Sequence, residues 1–482
     1  MTSVGHTSRR TVLDRAAARS RPSCTTLLLV LSDLLALLLA WGISVAIGLL
    51  FQPSIASHAC WGAWPLFALF PLVYLLSGLY PAVGLCPPEE LKRLSLTTTW
   101  GYLAVGGFAF VLHLGSTLSR PVLIGAWILS LILVPLIRAL AREMWAARGW
   151  WGHSALILGA GRTGALVIDA LRRFPGLGLN PVCVLDDDPS KWGELDGVPV
   201  GGDLELAPEF SRKLGIRYAI VAMPGVECKQ LSRIIARQAR HFPHLIVIPD
   251  LFGFSTMWIL GRDLGGILSL EMRQRLLMPI PRMVKRLMDT SLGFIASVLL
   301  LPLILLLALL IRLESPGAPF YGHTRIGRGG RRFRAWKLRT MVQNADQVLE
   351  QHLEQHPELR QEWEELQKLR DDPRITRVGR WLRKTSLDEL PQLWNVLVGE
   401  MSLVGPRPIV ENEIARYGDL FDTYLQVRPG LTGLWQVSGR NDTTYEERVR
   451  LDAYYVRNWS PWLDIYILAR TVLVVFGRKG AY

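Results

Sequence analysis

The sequence predicts a membrane α + α/β protein. It reads as a four-helix transmembrane bundle, a parallel α/β domain, and a second α/β domain anchored by a broken, re-entrant helix. Three observations predict this. Four long apolar runs fill the first third of the chain, strand-like and helical runs alternate over 154–250, and a fifth apolar run at 287–313 has basic residues on both flanks. The expected domains are therefore 1–150, 151–275 and 276–482.

Composition supports the membrane assignment. Half of the 482 residues are hydrophobic, 17 are Trp, the formal net charge is +13 and the mean hydropathy is +0.24. Positive mean hydropathy departs from a soluble average, and the length allows about three domains. Excess positive charge suits anionic lipids or phosphorylated substrates. No nucleic-acid motif accompanies it, so nucleic acid is not expected as a partner. Five cysteines lie scattered without CxxC or CxxH spacing, which excludes a disulfide framework and a zinc site. The first apolar run is too long for a signal sequence and reads as an anchor.

The four runs are 25–51, 61–80, 97–115 and 121–140, each long enough to span a bilayer. Arg9, Arg10, Arg15, Arg19 and Arg21 precede the first, Lys92 and Arg93 lie in the 81–96 loop, and Arg138, Arg142 and Arg148 lie at and beyond the end of the fourth. The loop at 52–60 has no Lys or Arg. The positive-inside rule then places both ends of the bundle in the cytoplasm. Asp33, within the first run, is either a functional intramembrane charge or a residue of the bundle interior.

The 154–250 alternation argues for a parallel sheet with crossover helices. In "SALILGAGRTGALVIDALRR", Gly159, Gly161 and Gly164 fit GxGxxG after a strand, and Asp186 follows about twenty residues on. That marks a Rossmann-like cytosolic domain and a candidate regulatory nucleotide site. No catalytic set for hydride transfer accompanies it, and a tight turn kept for packing is the favoured reading.

The fifth run is long enough to cross. Yet Arg282, Lys285 and Arg286 precede it, while Arg312, Arg325, Arg328, Arg331 and Arg332 follow, so both flanks ask to be cytoplasmic. Pro302 near its middle removes a helix hydrogen bond. A helix broken there, entering one leaflet and returning, reconciles the two. At the other end of the chain, the apolar run 461–476 is short and reads as an interfacial or packed core helix.

Beyond the fifth run, "KTSLDELPQLWNVLVGEMSLVGPRP" sets Asp388 and Glu389 side by side before a proline. Ser386 and Glu389 have capping-box spacing, but that register puts Pro391 at the fifth helical position, where its missing N–H is costly. A helix starting near Pro391 leaves both carboxylates free to point into a site. Lys337, Arg339, Arg383, Arg407 and Arg440 bracket the pair in Gly- and Pro-rich segments. Arginine matches phosphate oxygens bidentately, and Arg407 is mounted between two prolines. Carboxylates among arginines suggest a diphosphate substrate met by a hard cation such as Mg2+, with a carboxylate able to attack phosphorus.

Residues from about 282 to 482 resemble the monotopic phosphoglycosyl transferases. The likeness rests on the proline-broken helix, "FRAWKLRTM", "DPRITRVGRWLRKTSLDELPQLWNVLVGEMSLVGPRP" and "VRPGLTGLWQVSGRN". The whole architecture is similar to the large form of that family. The resemblance implies that 276–482 is the catalytic domain, that Asp388 is the nucleophile, and that Glu389 is its partner near Mg2+. Lys337, Arg383, Arg407 and Arg440 would hold phosphate or nucleotide, with Asp452 a further candidate at the site. It implies transfer of hexose 1-phosphate, galactose first and glucose as the alternative, from a UDP-hexose to undecaprenyl phosphate. The setting would be the cytoplasmic face of a bacterial inner membrane, among its lipids, with a homodimer through the N-terminal parts. Many relatives have Ser-Pro at the helix break, whereas this chain has Leu301-Pro302. A nucleotide-sugar oxidoreductase and a membrane scaffold are the rival classes.

Overall fold

The computed structural model describes residues 20–51, 67, 69–81, 83–111, 119–249, 259–263, 268–272, 274–356, 360, 372–439 and 443–476. The chain forms two compact units, Met1–Phe252 and Gly253–Tyr482.

The first unit opens with helices α1 (Pro22–Phe51), α2 (Leu69–Leu76), α3 (Pro87–Val111) and α4 (Arg120–Trp145). Three of these are long and apolar enough to cross a membrane: α1, α3 and α4. Of the run expected at 61–80, only α2 and its neighbours are described. Helix α3 starts ten residues before the expected 97, which draws Glu89, Glu90, Lys92 and Arg93 out of a loop and into a helix. Two prolines followed by two glutamates make a good first turn, and that local signal prevails over the hydropathy boundary.

Polar groups join this bundle from inside. Asp33 on α1 pairs with Arg138 on α4 at 2.6 Å, and Tyr80 donates to the same carboxylate oxygen at 2.5 Å. Arg138 also meets Glu90 on α3 at 2.7 Å, and Glu90 meets Arg142 at 2.8 Å. Asp33 is thus a residue of the bundle interior. Arg138, expected as a flanking charge, is instead buried within α4 as its partner.

A six-stranded sheet follows: β1 (His153–Leu158), β2 (Leu179–Leu185), β3 (Gly193–Leu195), β4 (Val198–Val200), β5 (Tyr218–Val221) and β6 (His244–Val247). Its order is β3-β4-β2-β1-β5-β6. All pairings are parallel except β3 with β4. Helix α5 (Arg162–Arg173) links β1 to β2, α6 (Ala207–Leu214) precedes β5, and α7 (Cys228–Gln238) links β5 to β6. The bundle and the sheet were expected as separate domains, but they pack as one unit. Arg142 donates to Gly176 O at 2.8 Å, Gly84 N to Leu177 O at 2.8 Å, and Gly152 N to Thr25 Oγ1 at 2.9 Å.

The glycine loop lies between β1 and α5. Gly159 has φ +112°, and a side chain there would press on Ala222 O at 2.8 Å. Gly164 packs against the Gly159 carbonyl, whereas Gly161 has open space around it. Asp186 accepts from Ala160 N at 2.7 Å and Asp188 N at 2.9 Å, and pairs with Lys191 at 3.3 Å. Backbone N–H groups of the glycine loop and of the turn after β2 therefore hold the Asp186 carboxylate in place.

The second unit includes a hairpin of β7 (Ile259–Asp263) and β8 (Leu268–Met272), so the boundary expected at 275 falls earlier. Helix α8 (Pro279–Glu314) follows and is uninterrupted through Pro302, where two halves were expected. Proline costs the ladder one hydrogen bond, and the intact bonds on either side carry the helix across. Its 36 residues make it about 54 Å long. It too is apolar enough to cross a membrane, with Phe294, Val298, Leu299, Leu305 and Leu309 exposed.

Both ends of α8 are nevertheless bound by the same unit. Next come β9 (Phe320–Ile326), β10 (Arg332–Leu338), α9 (Ala345–Gln355), α10 (Arg377–Thr385), α11 (Gln392–Val398) and β11 (Ser402–Val404). After them lie α12 (Ile414–Tyr417), α13 (Phe421–Leu425), β12 (Gly430–Thr432), α14 (Leu434–Ser438), α15 (Tyr445–Asn458) and α16 (Pro461–Phe476). Near the start of α8, Arg286 donates to Val396 O and Leu397 O, both at 2.8 Å. Near its end, Leu307, Ala308 and Ile311 share a core with Leu338 and Leu382, and Glu314 accepts from Arg377 N at 2.8 Å. In α16, Leu463 and Ile467 are core residues while Val472 and Leu473 are exposed.

Candidate active site

A hairpin and a sharp turn create the site. Strands β9 and β10 pair antiparallel with Lys337 opposite Tyr321, and their connection uses Gly329 and Gly330 at φ +66° and +77°. Helix α10 begins at Thr376, whose hydroxyl accepts from Gly379 N at 2.9 Å. It ends at Ser386 with φ +57°, a left-handed conformation that costs a side chain about 1–2 kcal/mol. Strain of this kind gathers at functional turns. The chain then makes one tight turn, Leu387–Glu389, that carries both carboxylates, and α11 begins just past Pro391.

The capping-box arrangement does not form. Ser386 makes no side-chain cap, and Glu389 turns to Lys337 at 2.6 Å. Asp388 is buried, with Oδ2 3.6 Å from the same ammonium. Burial pushes the Asp388 carboxyl above its usual range, Lys337 opposes that, and Glu389 adds to it. For Glu389, burial acts upward too, but Lys337 and Arg407 outweigh it and hold the carboxyl below its usual range. Two adjacent carboxylates are thereby driven apart in acidity, as groups with different roles require.

The pair lies in a cleft of about 850 Å³, also lined by Lys337, Arg339, Arg383 and Arg407. Arg383 is fixed by a 3.0 Å bond to Thr340 Oγ1. Arg407 lies over the Trp435 ring at 5.8 Å, and Arg448 covers the same ring at 4.7 Å. The mount of Arg407 is stiffened further by Gly405 N–H to Thr432 O at 2.9 Å and Gly430 N–H to Pro406 O at 2.7 Å. Arg440 lies outside the described residues.

Two expected site residues have other employment. Arg339 donates to Ser315 O at 2.7 Å and Pro316 O at 2.8 Å, closing the end of α8. It reaches the cleft wall with its guanidinium already engaged. Asp452 does not line the cleft at all. It is buried on α15, where Tyr417 donates to its Oδ2 at 2.8 Å, the Arg407 backbone N–H helps to offset the cost of its burial, and Oδ1 has no hydrogen-bond partner among the described residues. Asp452 is thus a support behind the Arg407 mount, because an aspartate on the inner face of an amphipathic helix has no path to the cleft.

Burial pushes the Asp452 carboxyl up to about 8 from its ordinary 3.8. The unfolded chain releases that proton first, so the group weakens the fold as pH rises from about 4 to about 8. Asp452→Asn keeps the shape and removes the titration. Its melting temperature relative to wild type should climb between pH 5 and pH 8. Parallel pH profiles for the two proteins would rule this support role out.

Sequence reasoning missed several lining residues. Arg325, Trp435 and Gln436 contribute to the cleft, and Asn395 ties α11 to the hairpin. Asn395 accepts from Trp336 N at 3.1 Å and donates to Arg334 O at 2.7 Å. The run "GLWQVSGR" was visible, but nothing in its spacing says that Trp435 and Gln436 turn toward the acidic pair. Trp435 Nε1 and Gln436 Oε1 are buried with no hydrogen-bond partner among the described residues.

The bacterial sugar transferase profile matches residues 280–478, which hold the whole cleft. A UDP-galactose-lipid carrier transferase of Erwinia amylovora is 41% identical over 372 residues, covering 76% of this chain and 77% of that protein. The chain belongs to the bacterial sugar transferase family. Within that family of enzymes it has the large form, with a bundle and a sheet ahead of the transferase unit. An undecaprenyl-phosphate galactose phosphotransferase of Salmonella typhimurium is 38% identical over 399 residues, 82% of each chain. A UDP-glucose:undecaprenyl-phosphate glucose-1-phosphate transferase of Escherichia coli is 32% identical over 328 residues, 66% of this chain and 67% of its own. Residues 77–249 of this sugar transferase match a CoA-binding domain profile, which takes in α3, α4 and the sheet.

Proposed function

We propose that the protein transfers hexose 1-phosphate from a UDP-hexose to undecaprenyl phosphate at the cytoplasmic face of a bacterial inner membrane. Galactose is the first candidate, since two of the relatives named above carry galactose in their names, and glucose is the alternative. The observation that carries the reading is a buried Asp388 beside a Lys337-bound Glu389 in an arginine-lined cleft. An Asp388 oxygen attacks the sugar-bearing phosphorus, the bond bridging the two phosphorus atoms breaks, and UMP leaves with the bridging oxygen. The hexosyl phosphate is then held on Asp388 as an acyl phosphate. An oxygen of the polyprenyl phosphate attacks the same phosphorus, the acyl bond breaks, and Asp388 returns as a carboxylate.

Arg383, Arg407 and Arg325 line the cleft and would meet the diphosphate charge. The buried Gln436 acceptor and Trp435 donor suit the imide edge of uracil. Among the described residues no three His, Cys, Asp or Glu side chains cluster as a metal cage. Two hard carboxylates plus substrate phosphates are enough for Mg2+, so Asp388 and Glu389 fit that ion. When bound it would neutralise charge on the diphosphate.

Re-entry of α8 is part of the proposal. A straight span would separate its ends by the bilayer, yet Arg286 and Glu314 bond the same polar unit. A helix that enters one leaflet, bound at both ends by that unit and short of one hydrogen bond at Pro302, would keep Asp388 at headgroup depth, where the acceptor phosphate lies.

The test is UMP release by purified full-length protein in nanodiscs. With UDP-galactose alone a single burst is expected, and continued turnover only after undecaprenyl phosphate is added. Faster release from UDP-glucose would assign the alternative sugar. Absence of UMP from both, or a sugar-dependent change in NAD(H) absorbance, would sink the proposal.

A further inference from the structure

A second cavity, of about 190 Å³, lies in the transferase unit and shares no lining residue with the catalytic cleft. The first turns of α8 supply Arg282, Lys285 and Arg286, the β9–β10 connection supplies Arg328, and the stretch before β12 supplies Arg428. Five cations thus face one lining carboxylate, Asp289.

That carboxylate is already in use. Asp289 accepts from Lys285 at 3.0 Å, Ser402 Oγ at 2.8 Å and Leu403 N at 3.1 Å. Lys285 in turn pairs with Asp464 at 2.7 Å. The floor is therefore balanced internally, and the arginines above it are not. Arg282 and Arg286 donate to backbone carbonyls, which satisfies their hydrogens but leaves their charge. Arg428, half-buried, has no hydrogen bond or ion pair with a described residue. Burial, then Arg286 and Arg328, depress its guanidinium. Gathering like charges around a cavity costs free energy unless an anion is there to meet them.

The surroundings say which anion. Met278, Ile280, Met283 and Leu287, on the same stretch of chain, are exposed apolar side chains. Such residues beside arginines mark the boundary between acyl chains and headgroups. The volume is below the usual range for a nucleotide-sized ligand but takes a phosphate with its nearest carbons. Arginine presents paired N–H groups that fit phosphate oxygens.

We infer that this cavity is a phosphate site for an anionic lipid headgroup, separate from the catalytic cleft. A lipid phosphate bound there would fix the depth of α8 in the bilayer without taking part in the reaction.

The experiment uses full-length protein in nanodiscs of phosphatidylcholine, with or without phosphatidylglycerol, and a parallel arm with inorganic phosphate. Native mass spectrometry reads retained lipid, and melting temperature reads stabilisation. Wild type should retain phosphatidylglycerol and melt higher with it. Arg428→Gln and Arg328→Gln should each lower occupancy about tenfold, with Arg428→Lys recovering part of it. UMP release in phosphatidylcholine alone should stay near wild type in these variants. Equal phosphatidylglycerol retention by all the proteins would overturn the inference. Stabilisation by inorganic phosphate with no gain from phosphatidylglycerol would overturn the lipid assignment. The exposed Arg328 keeps the test valid even if the half-buried Arg428 variant folds poorly.

Discussion

Asp388→Asn should release UMP at least about a thousandfold more slowly than wild type, while the protein still folds and inserts. The amide has the shape of the carboxylate and cannot form the acyl phosphate. It is also cheaper to bury. Asp388 is desolvated, with an ammonium 3.6 Å away as its compensation, so neutralising it relieves a cost built into the turn. The melting temperature of the variant should therefore match or exceed that of wild type. Intact-mass analysis after mixing with UDP-sugar alone should find a hexosyl-phosphate adduct on wild type only. Turnover within a few-fold of wild type would remove Asp388 from the mechanism.

Lys337→Met should lower turnover by about a hundredfold at acidic pH and less at alkaline pH. Burial raises the Asp388 pKa, and Lys337 is the largest influence opposing it. The attacking group must be the anion. Activity is thus present above the Asp388 value and lost as pH falls through it, and removing Lys337 moves that limb upward. Glu389 loses its 2.6 Å partner in the same variant, so both carboxylates become harder to ionise. The pH profile of the UMP burst reads the shift, and Lys337→Arg should restore part of the acid limb. An unmoved limb with slower turnover would restrict Lys337 to contacts with substrate.

How much of this was legible depended on whether the signal was local. GxGxxG after a strand, an acidic pair before a proline and an arginine between prolines are short patterns with one backbone solution each. They led to the sheet, the turn at Asp388 and the mount of Arg407. Asp452 read as a cleft residue, and Arg339 as a free phosphate ligand, because their charge was visible and their partners were not. Tyr417 is 35 residues from Asp452, and the carbonyls held by Arg339 are 23 and 24 residues from it. Trp435 and Gln436 were overlooked for the same reason, since their direction depends on the packing of α14 against α15. Pro302 is the opposite case. A local rule foresaw a break, and hydrogen bonds on both sides kept the helix continuous.

The ion pair inside the bundle also orders events during synthesis. Asp33 enters the bilayer on the first helix, but Arg138 lies 105 residues later in the chain. At ribosomal speed that is about 5–20 s, during which the carboxyl has no built-in partner. An unpaired Asp at mid-helix weakens insertion by about 2.5–3.5 kcal/mol. The first helix therefore gains the partner for its buried carboxylate only once the fourth has been made.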